Sequence, residues 1–295
     1  MSQPFKLDEP AATRIDRLIW RGGIIMTVNT PHFGGWSDLH VAADGRSLTS
    51  ISDEGAWLTA TIDYDSKGDL LGLSAGRIGQ LRGLDGKLIA TKAEADAEGM
   101  TRLPDGSWLV SFERRHRLWR YRTLLDTPMP EEGPADIGRQ PANGGIESLI
   151  ALADGRVIAI SEEYSLRPGS VVGWIGEPAA GGYVWHAFDY ATTPDFKPTA
   201  ITLLPDGSLA TIERAFDMVR GVRCRVMRFD AAQLKPGATV RAEELARLAS
   251  PYAVDNLEGI AATKGARGET LLWLISDDNF NPLQRNILLL FELAP

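Results

Sequence analysis

Short apolar runs of strand length recur along the chain, and four times a pair of them flanks an Asp-Gly step. The segments are SDLHVAADGRSLTSISDEG from Ser37, EGMTRLPDGSWLVSFERR from Glu98, ESLIALADGRVIAISEEY from Glu147 and TAITLLPDGSLATIERAF from Thr199. In each, the first residue stands seven before the Asp: Ser37 to Asp44, Glu98 to Asp105, Glu147 to Asp154 and Thr199 to Asp206. A fifth copy, EGIAATKGARGETLLWLISDDNF from Glu258, keeps both flanks but has a longer turn. Asp-Gly supplies the positive φ that tight turns require. The flanks are rich in Leu, Ile, Val, Thr and Trp, as strands are. Each copy therefore predicts a hairpin. Further strand-like runs follow at 57–64, 117–122, 183–190 and 223–229. About four strands per unit, with units starting 49 to 61 residues apart, fit propeller blades with decorated loops.

One hairpin-based sheet cannot bury both its faces, so the copies should stack radially. The fifth unit is followed by a single strand at 286–293. The strand-like run at 18–26 supplies its missing outer strand and closes the ring without an open edge between first and last blades. The expected fold is an all-β, five-bladed β-propeller forming one domain over 1–295, with 1–13 as a loosely ordered leading segment. Six blades is the alternative, if 57–92 hides a degenerate one. The one helical pattern, 242–248, reads as a loop helix.

The innermost strand of a propeller blade lines the central channel. If the first run of each copy is that strand, Ser37, Glu98, Glu147, Thr199 and Glu258 lie near one mouth, each with a side-chain oxygen. Three carboxylates converging on one axis repel strongly unless protons, basic groups or a cation intervene. Carboxylates with hydroxyls and water make a hard oxygen cage that suits Ca²⁺. The alternative is that these side chains cap strand starts or bond neighbouring backbone. The second run ends at the same face, on Asp53, Glu113, Glu162, Glu213 and Asp277. Their neighbours are Glu54, Arg114, Glu163, Arg214, Asp278 and Asn279. Arginine suits a phosphate or carboxylate through its bidentate fork. An internal Arg–Glu network fastening the blades together is the other possibility.

Composition narrows the function classes. Hydrophobic residues make up 44% and charged residues 24%, ordinary for a folded domain. With 31 Lys and Arg against 39 Asp and Glu, the net charge is −8, which disfavours nucleic acid and anionic membrane surfaces as partners. The single Cys224 excludes an internal disulfide and any Cys-based zinc pattern. No apolar run approaches the 18 or more residues of a membrane span. Residues 1–10 show no apolar signal core. The expected location is periplasmic or secreted if a signal segment has been removed, and cytoplasmic otherwise. A monomer acting on a small molecule is expected.

Other motifs carry less. Gly72-Leu73-Ser74-Ala75-Gly76 fits G-x-S-x-G, but a nucleophile elbow needs the strand-to-helix turn of a parallel sheet. His32, His40, His116 and His186 show no ligand spacing, although His116 follows Glu113-Arg114-Arg115 and can reach the acidic face. Trp36, beside Ser37, is a candidate pocket wall. No P-loop or GxGxxG is present.

Six segments together resemble the phytase-like family known as "esterase-like activity of phytase". They are GGWSDL at 34–39, SDEG at 52–55, EGM at 98–100, FERR at 112–115, NLEGI at 256–260 and SDDNFNPLQRNILLLFEL at 276–293. The resemblance spans about residues 15–293, and its closing segment is the most specific. It implies a bacterial, often exported protein that hydrolyses phosphate or other esters. The order Ser, Glu, Glu, Thr, Glu at the blade starts is also similar, more distantly, to the calcium ligands of five-bladed calcium-activated nucleotidases; Thr199 stands where those have Ser. Together these imply a calcium-dependent phosphoesterase. Ca²⁺ would be held by Glu98, Glu147 and Glu258 with Ser37 and Thr199. Arg114 and Arg214 would hold phosphate oxygens. A general base would come from Asp53, Glu54, Glu113, Glu162, Glu213 and Asp277. Trp36, His116, Asp278 and Asn279 would contact substrate. A binding propeller with a structural calcium, and a calcium-dependent carboxylic-ester or lactone hydrolase, are the competing readings.

Overall fold

A computed structural model describes residues 2–30 and 32–294. Five antiparallel sheets are arranged as the blades of a propeller. Blade 1 comprises Trp36–Val41, Ser47–Ser52, Ala56–Tyr64 and Leu70–Gln80. Blade 2 comprises Ala97–Arg102, Trp108–Phe112, Arg117–Tyr121 and Met129–Glu131. Blade 3 comprises Ile146–Ala151, Val157–Ser161, Ser170–Ala179 and Gly182–Ala191, with the short Thr239–Val240 added in parallel at its edge. Blade 4 comprises Lys197–Leu203, Leu209–Asp217, Gly221–Phe229 and Glu243–Ala249. Blade 5 comprises Asn256–Lys264, Thr270–Asp277 and Ile287–Leu293, and Leu18–Ile25 completes it as the fourth strand, with the short Arg14–Ile15 paired at its edge. The ring is thus closed by the N-terminal strand, and residues 57–92 hold the outer half of blade 1 rather than a sixth blade.

Two expectations are corrected. Residues 242–248 are not a helix: Glu243–Ala249 is the outer strand of blade 4, paired antiparallel with Gly221–Phe229. Ala, Glu and Leu favour helix locally, but the sheet edge and the burial of Leu245, Ala246 and Leu248 outweigh that preference. The leading segment is also held: Phe5 is buried against Trp20, Tyr252 and Phe291, and the Gln3 amide donates to the Gly23 carbonyl.

The core lies between blades rather than on the axis. Five apolar clusters fill the five interfaces, for example Trp36, Leu39, Trp273 and Ile275 between blades 5 and 1, and Ile51, Trp57, Met100 and Trp108 between blades 1 and 2. The Asp-Gly turns lie at the lower mouth. Gly45, Gly106, Gly155 and Gly207 have φ of 70°, 85°, 89° and 87°, a region that L side chains rarely adopt. In each turn the Asp carboxylate accepts the amide two residues on. Buried polar groups staple neighbouring inner strands: Asp38 accepts the Met100 amide at 2.6 Å, and the Ser111 hydroxyl donates to the Ile146 carbonyl at 2.7 Å. The upper mouth is left to the strand starts and the loops that carry the acids.

Candidate functional site

All five inner strands share a β-bulge. The register skips from Trp36 to Asp38, Ala97 to Gly99, Ile146 to Ser148, Pro198 to Ala200 and Leu257 to Gly259. The skipped residues are Ser37, Glu98, Glu147, Thr199 and Glu258. A bulge re-aims the extra residue out of the alternating pattern. The five positions picked out by the repeat are therefore the five that leave the ladder at the upper mouth.

Glu98, Glu147 and Glu258 share one electrostatic environment. Burial pushes the carboxyls of Glu98 and Glu147 well above the usual range. Like charge reinforces it, from Glu113 and Asp96 on Glu98 and from Glu162 and Glu258 on Glu147. Burial pushes Glu258 up to about 8, although the nearby Arg214 pulls it back. Ser37 and Thr199 are buried and bonded within the scaffold, Ser37 to the Gly35 carbonyl at 3.2 Å and Thr199 across to the Leu257 carbonyl at 3.0 Å. Each hydroxyl oxygen keeps lone pairs free to accept.

A second tier surrounds these residues. Asp53, Glu113, Glu162 and Asp277 each follow or end the second strand of a blade, opposite the residue two before the bulge. In blade 4 that place is taken by Arg214, which pairs with Lys197, while Glu213 pairs one step earlier with Pro198. Glu213 is therefore not part of the ring. Fully buried, it accepts from Arg225 Nε at 2.8 Å and from the Tyr190 hydroxyl at 2.9 Å, in a network between blades 3 and 4. Arg214 stands eight residues after its turn Asp, as Glu113 and Glu162 do, whereas Glu213 stands seven after.

Arg214 reaches into the carboxylates, 3.3 Å from Glu258 and 3.5 Å from Glu162. Its Nε is buried without a partner. Across the ring, Asp96, Glu98 and Glu113 bring one oxygen each to within 4.8 Å of one another. Burial raises Glu113 to about 7, against the pull of the Gly145 amide that it accepts. Burial, with Asp53 nearby, raises Asp277 to about 7. Lys92 pairs with Asp53 and, at 2.8 Å, with Asp96. Arg114, at a φ of 52°, places Nε 2.5 Å from Asp96. Lys197 pairs with Glu163 and lies 3.9 Å from Glu162. Oxygens of Glu147 and Asp53 are buried with no hydrogen-bond partner.

Asp96, Lys92 and Lys197 lie upstream of the bulge residues at which the repeated segments begin. The signal lay just upstream: Lys92 and Asp96 are four apart on the one-turn helix Lys92–Ala95 and its C-cap, and Lys197 is two before Thr199.

The expected substrate contacts divide. Trp36 is wholly buried between blades 5 and 1, edge-on to Phe33 at 5.3 Å, and lines no open surface. His116 lies beside Glu113 at Gly145, where a Cβ would stand 2.9 Å from Nδ1 and 3.1 Å from Glu113 Cγ. Its Nε2 bonds the Pro141 carbonyl at 2.9 Å, which leaves Nδ1 as a lone-pair nitrogen, buried and unpartnered. Burial lowers its basicity. Asp278 is occupied in shaping its loop, accepting the Gly35 amide at 3.1 Å and the Asn286 side chain at 2.8 Å. Asn279 is exposed at a φ of 48°. Glu54 is exposed on the rim.

A sequence model described as "Phytase-like: Esterase-like activity of phytase" matches residues 31–280. No curated protein matches the sequence. Among solved structures, the chain is similar to the catalytic domain of a GH62 α-L-arabinofuranosidase from Coprinopsis cinerea, at 13% identity and a TM-score of 0.56, covering 94% of this chain and 97% of that one. It is also similar to the α-L-arabinofuranosidase of Podospora anserina, at 10% identity and a TM-score of 0.53, covering 95% and 98%. At such identity the likeness shows the propeller fold alone.

Proposed function

The chain belongs to the phytase-like family, and on that premise we propose that it is a calcium-dependent hydrolase of phosphate esters whose reaction centre is the acid ring at the upper mouth. One observation carries the proposal: three carboxylate oxygens, from Asp96, Glu98 and Glu113, converge within 4.8 Å. The charge balance supports it. Among the described residues, Asp53, Asp96, Glu98, Glu113, Glu147, Glu162, Glu258 and Asp277 outnumber the cations paired with them, Lys92, Arg114, Lys197 and Arg214, even with Arg117 acting on Asp96, and Lys197 is also engaged by Glu163. Buried like charges in such excess need protons or a cation.

The donor set is all oxygen, which fits Ca²⁺ rather than a soft metal. Glu98 with Asp96 and Glu113 would hold the ion, and Glu147, with its unpartnered oxygen, and Glu258 belong to the same charged cluster. Bound there, it supplies charge neutralisation and Lewis acidity toward a phosphoryl oxygen.

The remaining roles fall to the chain itself. Arg214, anchored by Glu258 and Glu162, has an unpartnered Nε and presents a fixed positive charge to a phosphate oxygen. Arg114, half-exposed at the rim, offers a second anchor. The Nδ1 of His116, buried and unpartnered beside the ion-holding Glu113 at Gly145, is the group placed to orient and deprotonate water. Glu213 has no part in this centre. The test is a panel of p-nitrophenyl phosphate, phytate, p-nitrophenyl acetate and lactones, with calcium and with EGTA. Calcium-dependent release from a phosphate ester supports the proposal. Turnover confined to carboxylic esters or lactones would transfer the same centre to acyl chemistry, and turnover of none would leave a calcium-tied binding propeller.

A further inference from the structure

Beside the acid ring, between the Leu81–Asp96 connection and the Asp278–Asn286 loop, lies a cleft of about 500 Å³. Its walls include His32, Glu54, Gln80, Leu88, Ile89 and Phe280. Lys92 joins it to the ring: its stem lines the cleft while its ammonium is committed to Asp53 and Asp96. Phe280 is set by local backbone. It and Asn279 adopt φ of 49° and 48°, and its ring lies over Gly34 and Gly35, where a Cβ would come within 3.1 and 2.8 Å of it. Phe280 and Leu88 are 43% and 53% exposed, so the cleft offers apolar surface that the described residues leave open.

We infer that this cleft is the subsite for a compact, apolar, uncharged group of the ester, held next to a head group bound on the ring; the inference rests on the hydrolase reading above. Two features decide the chemistry. The walls are apolar on two sides, and burying an aromatic ring against them is favourable in proportion to the area removed from water. With Lys92 engaged, the other acidic or basic Lys, Arg, Asp or Glu side chain in the wall is Glu54, which repels a second phosphate or carboxylate. The site therefore selects a monoester of a neutral apolar alcohol over a polyphosphorylated substrate. The polar edges of Gln80 and His32, 3.2 Å apart, leave room for one hydrogen bond to such a group.

The test uses the full chain loaded with calcium, in two arms. In the first, 2-naphthol fluorescence is titrated with protein. Saturable binding is expected, weakened about tenfold by Leu88→Asp and by Phe280→Asn, the latter keeping a residue that tolerates positive φ. An absence of saturable binding, or variants that bind like the parent, would overturn the inference. In the second, phenylphosphonate is compared with methylphosphonate by calorimetry. The phenyl compound should bind about tenfold tighter, with the preference lost in Leu88→Asp. Equal affinity for the two would overturn the subsite while leaving the phosphoesterase reading standing. Naphthol binding as expected with neither phosphonate bound would uphold the cleft and refute phosphate as the head group.

Discussion

The guanidinium of Arg214 lies 3.3 Å from the carboxylate of Glu258, at the upper mouth of the propeller and in the ring position that the other four blades fill with an acid. The pair joins blade 4 to the bulge residue of blade 5. It leaves the Arg214 Nε free while holding the group in place. Arg214→Gln should therefore lower turnover of a phosphate ester by about 10²-fold, the usual cost of removing a charged transition-state donor. In calcium-free protein it should also cost about 3 kcal/mol in stability, because Glu258 and Glu162 lose their buried partner. Steady-state kinetics and denaturant unfolding, each with calcium and with EGTA, check both effects.

Glu98 stands at a bulge and contributes an oxygen to the three-carboxylate cluster. Glu98→Gln keeps the shape and removes the charge. Calcium affinity should fall by about two orders of magnitude, in line with the dependence of such sites on ligand charge. Turnover at limiting calcium should fall with it. Weakened calcium binding with unchanged turnover at saturating calcium would make the ion structural.

Calcium-free protein should lose stability as pH rises. Burial holds Glu113 and Asp277 at about 7 and Glu258 at about 8, all above the ordinary carboxyl range. Between that range and pH 8 the folded chain keeps protons that the unfolded chain has released. Unfolding then releases protons, and stability falls with pH across this window. Bound calcium replaces those protons, so the loaded protein should show a flatter profile. Melting temperature against pH from 4.5 to 8.5, in EGTA and in calcium, reads the difference.

Glu213 tests the boundary of the site. Its carboxylate is enclosed by Arg225 and Tyr190 and takes no part in the ring. Glu213→Gln should destabilise the fold by about 3 kcal/mol, since buried Arg225 loses its closest charge partner and keeps Glu244 at 3.7 Å. Calcium affinity measured by calorimetry on the folded variant should match the parent. The contrast with Glu98→Gln separates a scaffold carboxylate from one in the ring.

The fold was legible because the repeat is written in turn chemistry. Asp-Gly at four bottom turns fixes the hairpins, and the strand run at 18–26 has nowhere to pair except the last blade. The bulge residues were legible for the same reason, being seven positions before each turn Asp. Glu213 resembles the ring acids in residue type but not in position: Arg214, not Glu213, shares the eight-residue offset of Glu113 and Glu162. Adjacency in sequence does not carry Trp36 to the pocket, because Ser37 leaves the ladder while Trp36 remains paired and packs in the interface between blades. The composition of residues 242–248 favours helix, whereas their conformation is set by the neighbouring strand Gly221–Phe229. Lys92 and Asp96 enter the ring from the connection before blade 2, and Lys197 from the first residue of the blade 4 inner strand, two before the bulge, where the repeat carries no shared residue type.

The most direct test is calcium titration by calorimetry on chelator-stripped protein, with melting temperature followed in parallel. Binding at one site per chain, with proton release at pH 7 and a rise in melting temperature that disappears in Glu98→Gln, is the expected result. No heat of binding and an unchanged melting temperature would contradict a calcium-dependent centre and leave the ring as carboxyls held by shared protons, Arg214 and Lys92.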